Sequence, residues 1–341
     1  MNTEEPTPTR TGSPSAPDDR GHYDVVVVGG GAAGLSAALV LTRACRRVAV
    51  IDAGQPRNAP AAHMQGFLGS DGLPPSELLA AGRSEVSGYG GQLVTGTVAT
   101  IRPCPRTGAH SRLSLEVVLE DGSVLRTRRV LVTTGLRDDV PDIPGVRERW
   151  GRDLLHCPYC HGYEVRDRPL GVLGGGPAAT QDSLAHAHLI RQWSDDVVYF
   201  TNGRPLTVAQ REQLVARAIG VVDTHVVSLV IEDDQLSGVE LADGRVVPRA
   251  AVFVRPVFVA NDTLLTDLGC ATGQNGWVAV DATGRTSVAG VWAAGNAVNP
   301  RAQVITAAGE GSAAAIAINN DLVDEDLPIA VTSFRLGMPI S

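Results

Sequence analysis

The stretch that most narrows what this chain can fold into is Asp24 to Asp52. Asp24-Val25-Val26-Val27-Val28 is a continuous apolar, β-branched run and reads as a buried parallel strand. Gly29-Gly30-Gly31-Ala32-Ala33-Gly34 follows at once, giving Gly-x-Gly-x-x-Gly, and Leu35 to Ala44 reads as a helix. Arg47-Val48-Ala49-Val50-Ile51-Asp52 is a second strand that ends in an acid. Gly29, Gly31 and Gly34 permit the turn and let a pyrophosphate approach the helix N-terminus. Asp52 is placed to accept from a ribose hydroxyl. A lone glycine motif says little. With strand, helix, second strand and terminal acid all present, it predicts an α/β fold with a dinucleotide site.

The second informative stretch is His156-Cys157-Pro158-Tyr159-Cys160-His161. A Cys-x-x-Cys brings two sulfurs close enough to cycle between dithiol and disulfide. Pro158 suits the first turn of a helix, where its missing N–H costs nothing. A helix N-terminus in turn favours a thiolate. Zinc would want a second ligand pair at finger-like spacing, which His156 and His161 do not provide, so no metal is expected. Cys45, Cys104 and Cys270 stand alone and read as inert thiols.

Ten residues past the cysteines, Leu170 to Leu173 reads as a strand entering Gly174-Gly175-Gly176-Pro177-Ala178-Ala179, and Thr180 to Gln192 as a helix. Asp196 to Phe200 is the next strand. Its end departs from the pattern. Where an acid or a basic cluster would meet a second ribose, the chain has Thr201-Asn202-Gly203-Arg204. Gly174, Gly176, Ala179 and Arg204 therefore form a candidate nicotinamide site, and the residues leave NADP(H) binding open.

Elsewhere, Gly54 to Pro75 reads as a long loop, with His63 as a hydrogen-bonded loop residue or a neighbour of the cofactor. Pro75 to Tyr89 reads as an amphipathic helix. Leu93 to Ile101 and Leu113 to Val124 read as a small β-meander. Val130 to Gly135 is a strand ending in a glycine turn. Arg137 to Pro144 and Arg255-Pro256 look like two interdomain crossings, and Ala307 to Leu322 reads as a helix. Met1 to Gly21 lacks the apolar stretch of a signal peptide and reads as a disordered tail. No apolar run approaches the roughly 20 residues of a membrane helix. The formal net charge of −8 argues against nonspecific nucleic-acid binding. No membrane and no nucleic-acid partner are expected, and a cytoplasmic location is.

Together these motifs resemble the low-molecular-weight thioredoxin reductase family of flavoproteins, over roughly residues 22 to 323. The resemblance rests on Gly29-x-Gly31-x-x-Gly34, Thr134-Gly135, Cys157-x-x-Cys160 just ahead of Gly174-x-Gly176-x-x-Ala179, and Gly290 to Gly311. It implies two Rossmann-like three-layer domains, each with a dinucleotide-binding turn. A discontinuous FAD-binding domain would span 22–137 and 255–323. An inserted NAD(P)-binding-like domain carrying the cysteines would span 138–254, with tails at 1–21 and 324–341. It further implies FAD held by Ala33, Ala53, Thr134, Gly135, Gly295, Asn296, Gln303 and Val304 besides the fingerprint residues. Cys160 would lie over the flavin, Cys157 would exchange with substrate, and residue 161 would be the acid–base. A homodimer is also implied.

Three positions depart from the family. His161 replaces its acid, Asn296 replaces the aspartate of its Gly-Asp, and the basic cluster that reads NADPH is missing. This form looks like the branch of dithiol oxidases that close disulfides in small natural products with O2 as acceptor. The expected function is therefore oxidation of a small-molecule dithiol, with His161 and His156 taking protons. An NADPH-dependent reductase of thioredoxin or a thioredoxin-like protein is the second reading. A flavin redox sensor without turnover is the third.

Overall fold

The computed structural model describes residues 22–104, 112–174 and 180–337. The chain opens with β1 (His22–Val28), α1 (Ala32–Arg43) and β2 (Val48–Asp52). β1 is parallel to β2, with Val25 opposite Val48. Val25, Val26 and Val27 are fully buried because the sheet is covered on both faces. After the loop come α2 (Pro75–Gly88), β3 (Gln92–Thr95), β4 (Val98–Pro103), β5 (Leu115–Leu119) and β6 (Val124–Val132). The sheet order is β3-β2-β1-β6-β5-β4. The expected meander is therefore corrected at its first strand. β3 is a parallel edge strand on β2, and only β4, β5 and β6 run antiparallel in succession. Alternation in sequence reports one buried face but not which neighbour takes the hydrogen bonds.

β7 (Leu136–Asp139) leaves this sheet, and a second α/β unit follows. It comprises α3 (Val146–Arg149), β8 (Leu154–Leu155), α4 (Pro158–His161), β9 (Leu170–Leu173), α5 (Thr180–Ile190), β10 (Val197–Phe200), α6 (Val208–Ala216) and β11 (Ile219–Val222). β12 (Val226–Glu232), β13 (Gln235–Leu241), β14 (Val246–Pro248) and β15 (Ala251–Val254) complete it. β12 to β14 form a separate antiparallel sheet, and the parallel sheet has the order β11-β10-β9-β15-β8. The interleaving of β15 between β9 and β8 sets the C-terminal ends of β8 and β15 side by side.

The chain returns through β16 (Val257–Ala260), which pairs antiparallel with β7, so the outgoing and incoming crossings form one two-stranded ribbon. α7 (Thr263–Asp267), β17 (Val291–Ala293) and α8 (Val304–Arg335) follow. β17 joins the first sheet beside β6. α8 crosses α1 at backbone contact, since a Cβ on Gly311 would stand 2.0 Å from the Ala33 carbonyl oxygen.

The expectation of a tail from residue 324 is corrected for its described part: α8 runs without a break to Arg335. Pro328 would by itself disfavour a helix here, and Asp324-Glu325-Asp326 set three acids side by side. In the fold, Arg128 of β6 pairs with Glu325 at 2.8 Å and Asp326 at 2.6 Å. The nearly buried Arg129 pairs with Asp321 at 2.6 Å. Two arginines of the sheet thus draw the acidic turn of the helix onto the core. Residues 1–21 lie outside the described part. No helix among the described residues is long and apolar enough to cross a membrane.

Candidate active site

The redox stretch sits where β8 ends. Leu154 and Leu155 are buried in the second sheet, and the chain then leaves its C-terminal edge. Cys157 caps α4 in an extended conformation, and its carbonyl accepts from the Cys160 N–H at 3.1 Å and the His161 N–H at 3.2 Å. This single turn brings the sulfurs together, and Cys157 and Cys160 form a disulfide with Cα atoms 5.3 Å apart. Gly162 must lack a side chain, because a Cβ there would stand 2.5 Å from the Pro158 oxygen and 2.9 Å from Trp193. Both cysteines line the same cavity, and one contact distinguishes them. Gln303, the N-cap of α8, approaches Cys160 Sγ with its Nε2 at 3.9 Å, which turns Cys160 toward the first unit.

A cavity of about 1270 Å³ runs from the fingerprint turn to the disulfide. Its floor explains the glycines one by one. A Cβ on Gly29 (φ +106) would meet the Thr133 oxygen at 2.5 Å, and one on Gly34 would meet the Gly29 oxygen at 1.9 Å. Those two glycines serve the packing of β1, α1 and β6. Gly31 is different, since nothing in the protein lies within 4 Å of where its Cβ would be. Its smallness leaves room for a ligand at the N-terminus of α1, whose first N–H groups have no intrahelical acceptor. Asp52 Oδ1 accepts from the Gly30 N–H at 3.2 Å, fixing the carboxylate beside the turn. Beyond it, an apolar slot of about 310 Å³ lies between Leu35, Leu79 and Leu93. A small-residue floor, helix N–H donors, a fixed acid and an apolar slot fit the pyrophosphate, ribose and adenine of FAD.

Asn296 has a local reason. Its Nδ2 donates to the carbonyls of Asn299 at 2.9 Å and Ala302 at 3.0 Å, while Oδ1 accepts from Arg57 at 3.3 Å. An aspartate would set a carboxylate against those two carbonyl oxygens, so the amide suits this loop. Gly295 (φ +67) donates its N–H to Glu310 at 2.9 Å.

The cavity brings together Gly29, Gly31, Ala33, Asp52, Thr134 and Gly135 from the first part of the chain. It also gathers Gly295, Asn296, Gln303 and Val304 from the last part, and His156, Cys157, Cys160 and His161 between them. Gly34 lies beneath the turn, and Ala53 is exposed and does not line the cavity. His63 lines it, with Nδ1 3.0 Å from the Gly72 oxygen. Of the candidate nicotinamide residues, Gly176 and Ala179 lie outside the described residues. Gly174 packs against Tyr199, Arg204 is exposed, and neither lines the large cavity.

His186 was not singled out in sequence and Arg255 only as part of a crossing, yet both line the same cavity. His186 comes from α5 and meets Phe253 edge-on at 5.8 Å. Arg255 follows β15 directly. The signal for each was a polar group inside an apolar run, Ala-His-Ala-His-Leu and Val-Phe-Val-Arg-Pro-Val-Phe-Val. The imidazoles of His156, His186 and His161 are held neutral. Burial, then the charges of Arg57, Arg255 and His161, pushes His156 down to about 3. Burial and Arg255 push His186 down to about 3, with the nearby His156 backbone pulling the other way. Burial also lowers His161, opposed by Glu164 and the Cys157 backbone. Both ring nitrogens of His161 are buried without a hydrogen-bond partner among the described residues.

A neutral imidazole with free nitrogens beside the disulfide can accept a thiol proton. His161→Ala is expected to slow reduction of the enzyme by dithiol by on the order of 100-fold, the scale of a lost general base. Lowering the value of a base extends its neutral form to lower pH. The acid limb of the wild-type rate should therefore lie below pH 6.5, the ordinary imidazole value, and disappear in His161→Ala. Stopped-flow rates against pH measure both, and near-normal rates in the variant would refute the role.

Residues 23–311 match the family described as pyridine nucleotide-disulphide oxidoreductase. The chain is 31% identical over 278 residues to the thioredoxin reductase tcpT of Claviceps purpurea (strain 20.1), covering 80% of this chain and 86% of that protein. It is 30% identical over 317 residues to the thioredoxin reductase sirT of Leptosphaeria maculans, covering 89% and 96%. Among solved structures, HlmI is 56% identical with a TM-score of 0.88, covering 94% of this chain and 98% of that one. The oxidoreductase from Agrobacterium tumefaciens is 33% identical with a TM-score of 0.80, covering 89% and 99%.

Proposed function

The chain belongs to the pyridine nucleotide-disulphide oxidoreductase family, and from that premise we propose that it is a dithiol oxidase of small molecules with O2 as acceptor. It is an FAD-dependent disulfide oxidoreductase of the thioredoxin reductase type. The proposal adds the direction of electron flow and the kind of substrate.

The observation that carries it is the end of β10, where a second ribose would be read. Thr201 is 1% exposed, with its hydroxyl directed to the Asp223 carbonyl at 3.3 Å. Asn202 Oδ1 accepts from the Val226 N–H at 3.0 Å. A Cβ on Gly203 would stand 2.2 Å from the His225 ring. The loop is thus closed onto β12, offering one exposed arginine, Arg204, and no acid. A tightly held 2′-phosphate usually meets a cluster of basic groups.

In the proposed reaction a substrate thiolate attacks Cys157 Sγ. The Cys157–Cys160 bond breaks and its electron pair goes to Cys160, with His161 taking the proton of the incoming thiol. The second substrate thiolate then attacks the substrate sulfur of the mixed disulfide. The substrate S–S bond forms and Cys157 leaves as a thiolate. Gly31 and the α1 N-terminus would hold the FAD pyrophosphate, Asp52 the ribose, and Gly295 and Asn296 the ribityl end. FAD held by these residues would supply the two-electron oxidation that re-forms the Cys157–Cys160 bond, with oxygen as the final acceptor.

The test is anaerobic mixing with dithiothreitol, NADPH and NADH separately. Dithiothreitol should bleach the flavin, and air should restore it with release of peroxide. Fast, stoichiometric bleaching by micromolar NADPH would overturn the proposal in favour of a thioredoxin-type reductase, and Arg204 would be the first residue to mutate. Bleaching without turnover of any dithiol would favour a sensor.

A cytoplasmic homodimer belongs to the same proposal. α8 presents Ile316, Val323, Leu327 and Phe334, which are 54%, 50%, 62% and 72% exposed, at helical spacing along one face. A monomer in light scattering would remove the dimer from the proposal, and recovery in a secreted fraction would remove the location.

A further inference from the structure

β8 and β15 lie parallel and adjacent, with Val252 opposite Leu154 and Phe253 opposite Leu155. Arg255 and Cys157 each follow the last paired residue of their strand by two positions, both line the same cavity, and the Arg255 charge reaches His156, the residue before Cys157. Both residues leave the C-terminal edge of the sheet, where open α/β sheets form their ligand crevices. Arg255 is half-buried and lines the cavity that holds the disulfide.

Of the arginines that line the cavity, Arg57 and Arg255 are the two whose charges act on His156, and Arg57 is balanced by a carboxylate. Arg57 makes a two-point pair with Asp138, Nε to Oδ2 at 2.8 Å and Nη2 to Oδ1 at 2.7 Å. It also stands over the Phe258 ring at 5.2 Å. Among the described residues, no carboxylate pairs with Arg255. The groups around the cysteine do not supply a counter-charge. His156 and His161 flank it on its own segment, His186 faces it from α5, and all three are neutral near pH 7. Tyr159 turns outward against Trp193. Glu164 lies on the His161 side of the motif. A half-buried guanidinium without a partner, one strand away from a sulfur that becomes charged during turnover, calls for an anion that comes and goes.

We propose that Arg255 is the charge partner of the Cys157 thiolate, stabilising the exchanging sulfur each time it is released. This rests on the reading of Cys157 as the cysteine that exchanges with substrate. When the substrate S–S bond forms, the bond from substrate to Cys157 breaks and its electron pair stays on Cys157 Sγ. A cation beside that atom makes it the better leaving group. Burial, with the same charge adding to it, keeps His156 and His186 unprotonated. The Arg255-Pro256 crossing thereby joins the two units and also supplies a group to the reaction.

The test uses the FAD-loaded Cys160→Ser enzyme, in which Cys157 cannot close its disulfide. Iodoacetamide alkylation of Cys157 is followed against pH by mass spectrometry of its own peptide, which separates it from Cys45, Cys104 and Cys270. Adding Arg255→Gln should raise the alkylation midpoint by about one pH unit or more, the usual effect of removing a nearby opposite charge. Arg255→Lys, which keeps the charge, should stay close to the parent, and Arg57→Gln should move the midpoint less than Arg255→Gln does. If Arg255→Gln does not fold, Arg255→Met in the same background reads the same midpoint. An unmoved midpoint with the charge removed overturns the proposal. Failure of the Cys157 assignment is seen separately, as a Cys160→Ser enzyme that forms no mixed disulfide with substrate.

Discussion

Cys157→Ser should acquire a long-wavelength absorbance band, and Cys160→Ser should not. In the first variant a thiolate remains at Cys160, the sulfur that Gln303 approaches at the N-terminus of α8, and it can donate charge to bound FAD. In the second the remaining thiol is Cys157, the N-cap of the one-turn helix, which Gln303 is not seen to approach. Cys160→Ser should instead accumulate a mixed disulfide with a dithiol substrate, visible by intact mass. Turnover should fall by roughly three orders of magnitude or more in both, as when one member of a catalytic unit is removed. The band appearing in Cys160→Ser alone would reverse the assignment of the two sulfurs.

Gly31→Arg should yield folded protein without flavin. Apart from its own chain neighbours, nothing lies within 4 Å of the Cβ position at Gly31, so the start of a side chain there meets open space. The introduced side chain would enter the space above the α1 N-terminus, where the proposed function puts the pyrophosphate. Absorbance at the flavin maximum should drop to about a tenth of wild type or less, the size of a lost anchoring contact worth more than ~1.4 kcal/mol, with circular dichroism unchanged. Gly34→Ala is the contrast, because its Cβ would stand 1.9 Å from the Gly29 oxygen and the turn itself must yield. A yellow, fully loaded Gly31→Arg protein would sink the assignment of the cofactor site.

Much of the cradle was legible because its signals are local. A strand, a glycine turn, a helix and an acid at the end of the next strand occupy consecutive residues, and the turn geometry follows from which of them lack a side chain. Sequence could not separate Gly31 from Gly29 and Gly34. All three read as glycines of one motif, yet two accommodate the protein's own backbone and one faces open space. Asn296 looked like the loss of a charge. The fold shows an amide whose two N–H bonds an aspartate could not make.

The acidic end of the chain was misread for a related reason. Asp324, Glu325 and Asp326 are unfavourable near a helix C-terminus, by the helix dipole and their mutual repulsion. That local preference is outweighed by Arg128 and Arg129, almost two hundred residues away in sequence, which reach Asp321, Glu325 and Asp326.

The sequence by itself determined the chemistry: a dinucleotide turn, two cysteines one helical turn apart, and an imidazole directly after the second. Each follows from bonded geometry and short-range sterics, which neighbouring residues settle among themselves. Only the tertiary structure decided which sulfur meets Gln303, and that His186 and Arg255 line the cavity that reaches the disulfide. It also decided that the loop after β10 closes onto β12. Those facts depend on the order β9-β15-β8 and on the return crossing, which set residues a hundred positions apart at one sheet edge. Charge and burial act through space, and their reach is a distance that linear spacing does not contain.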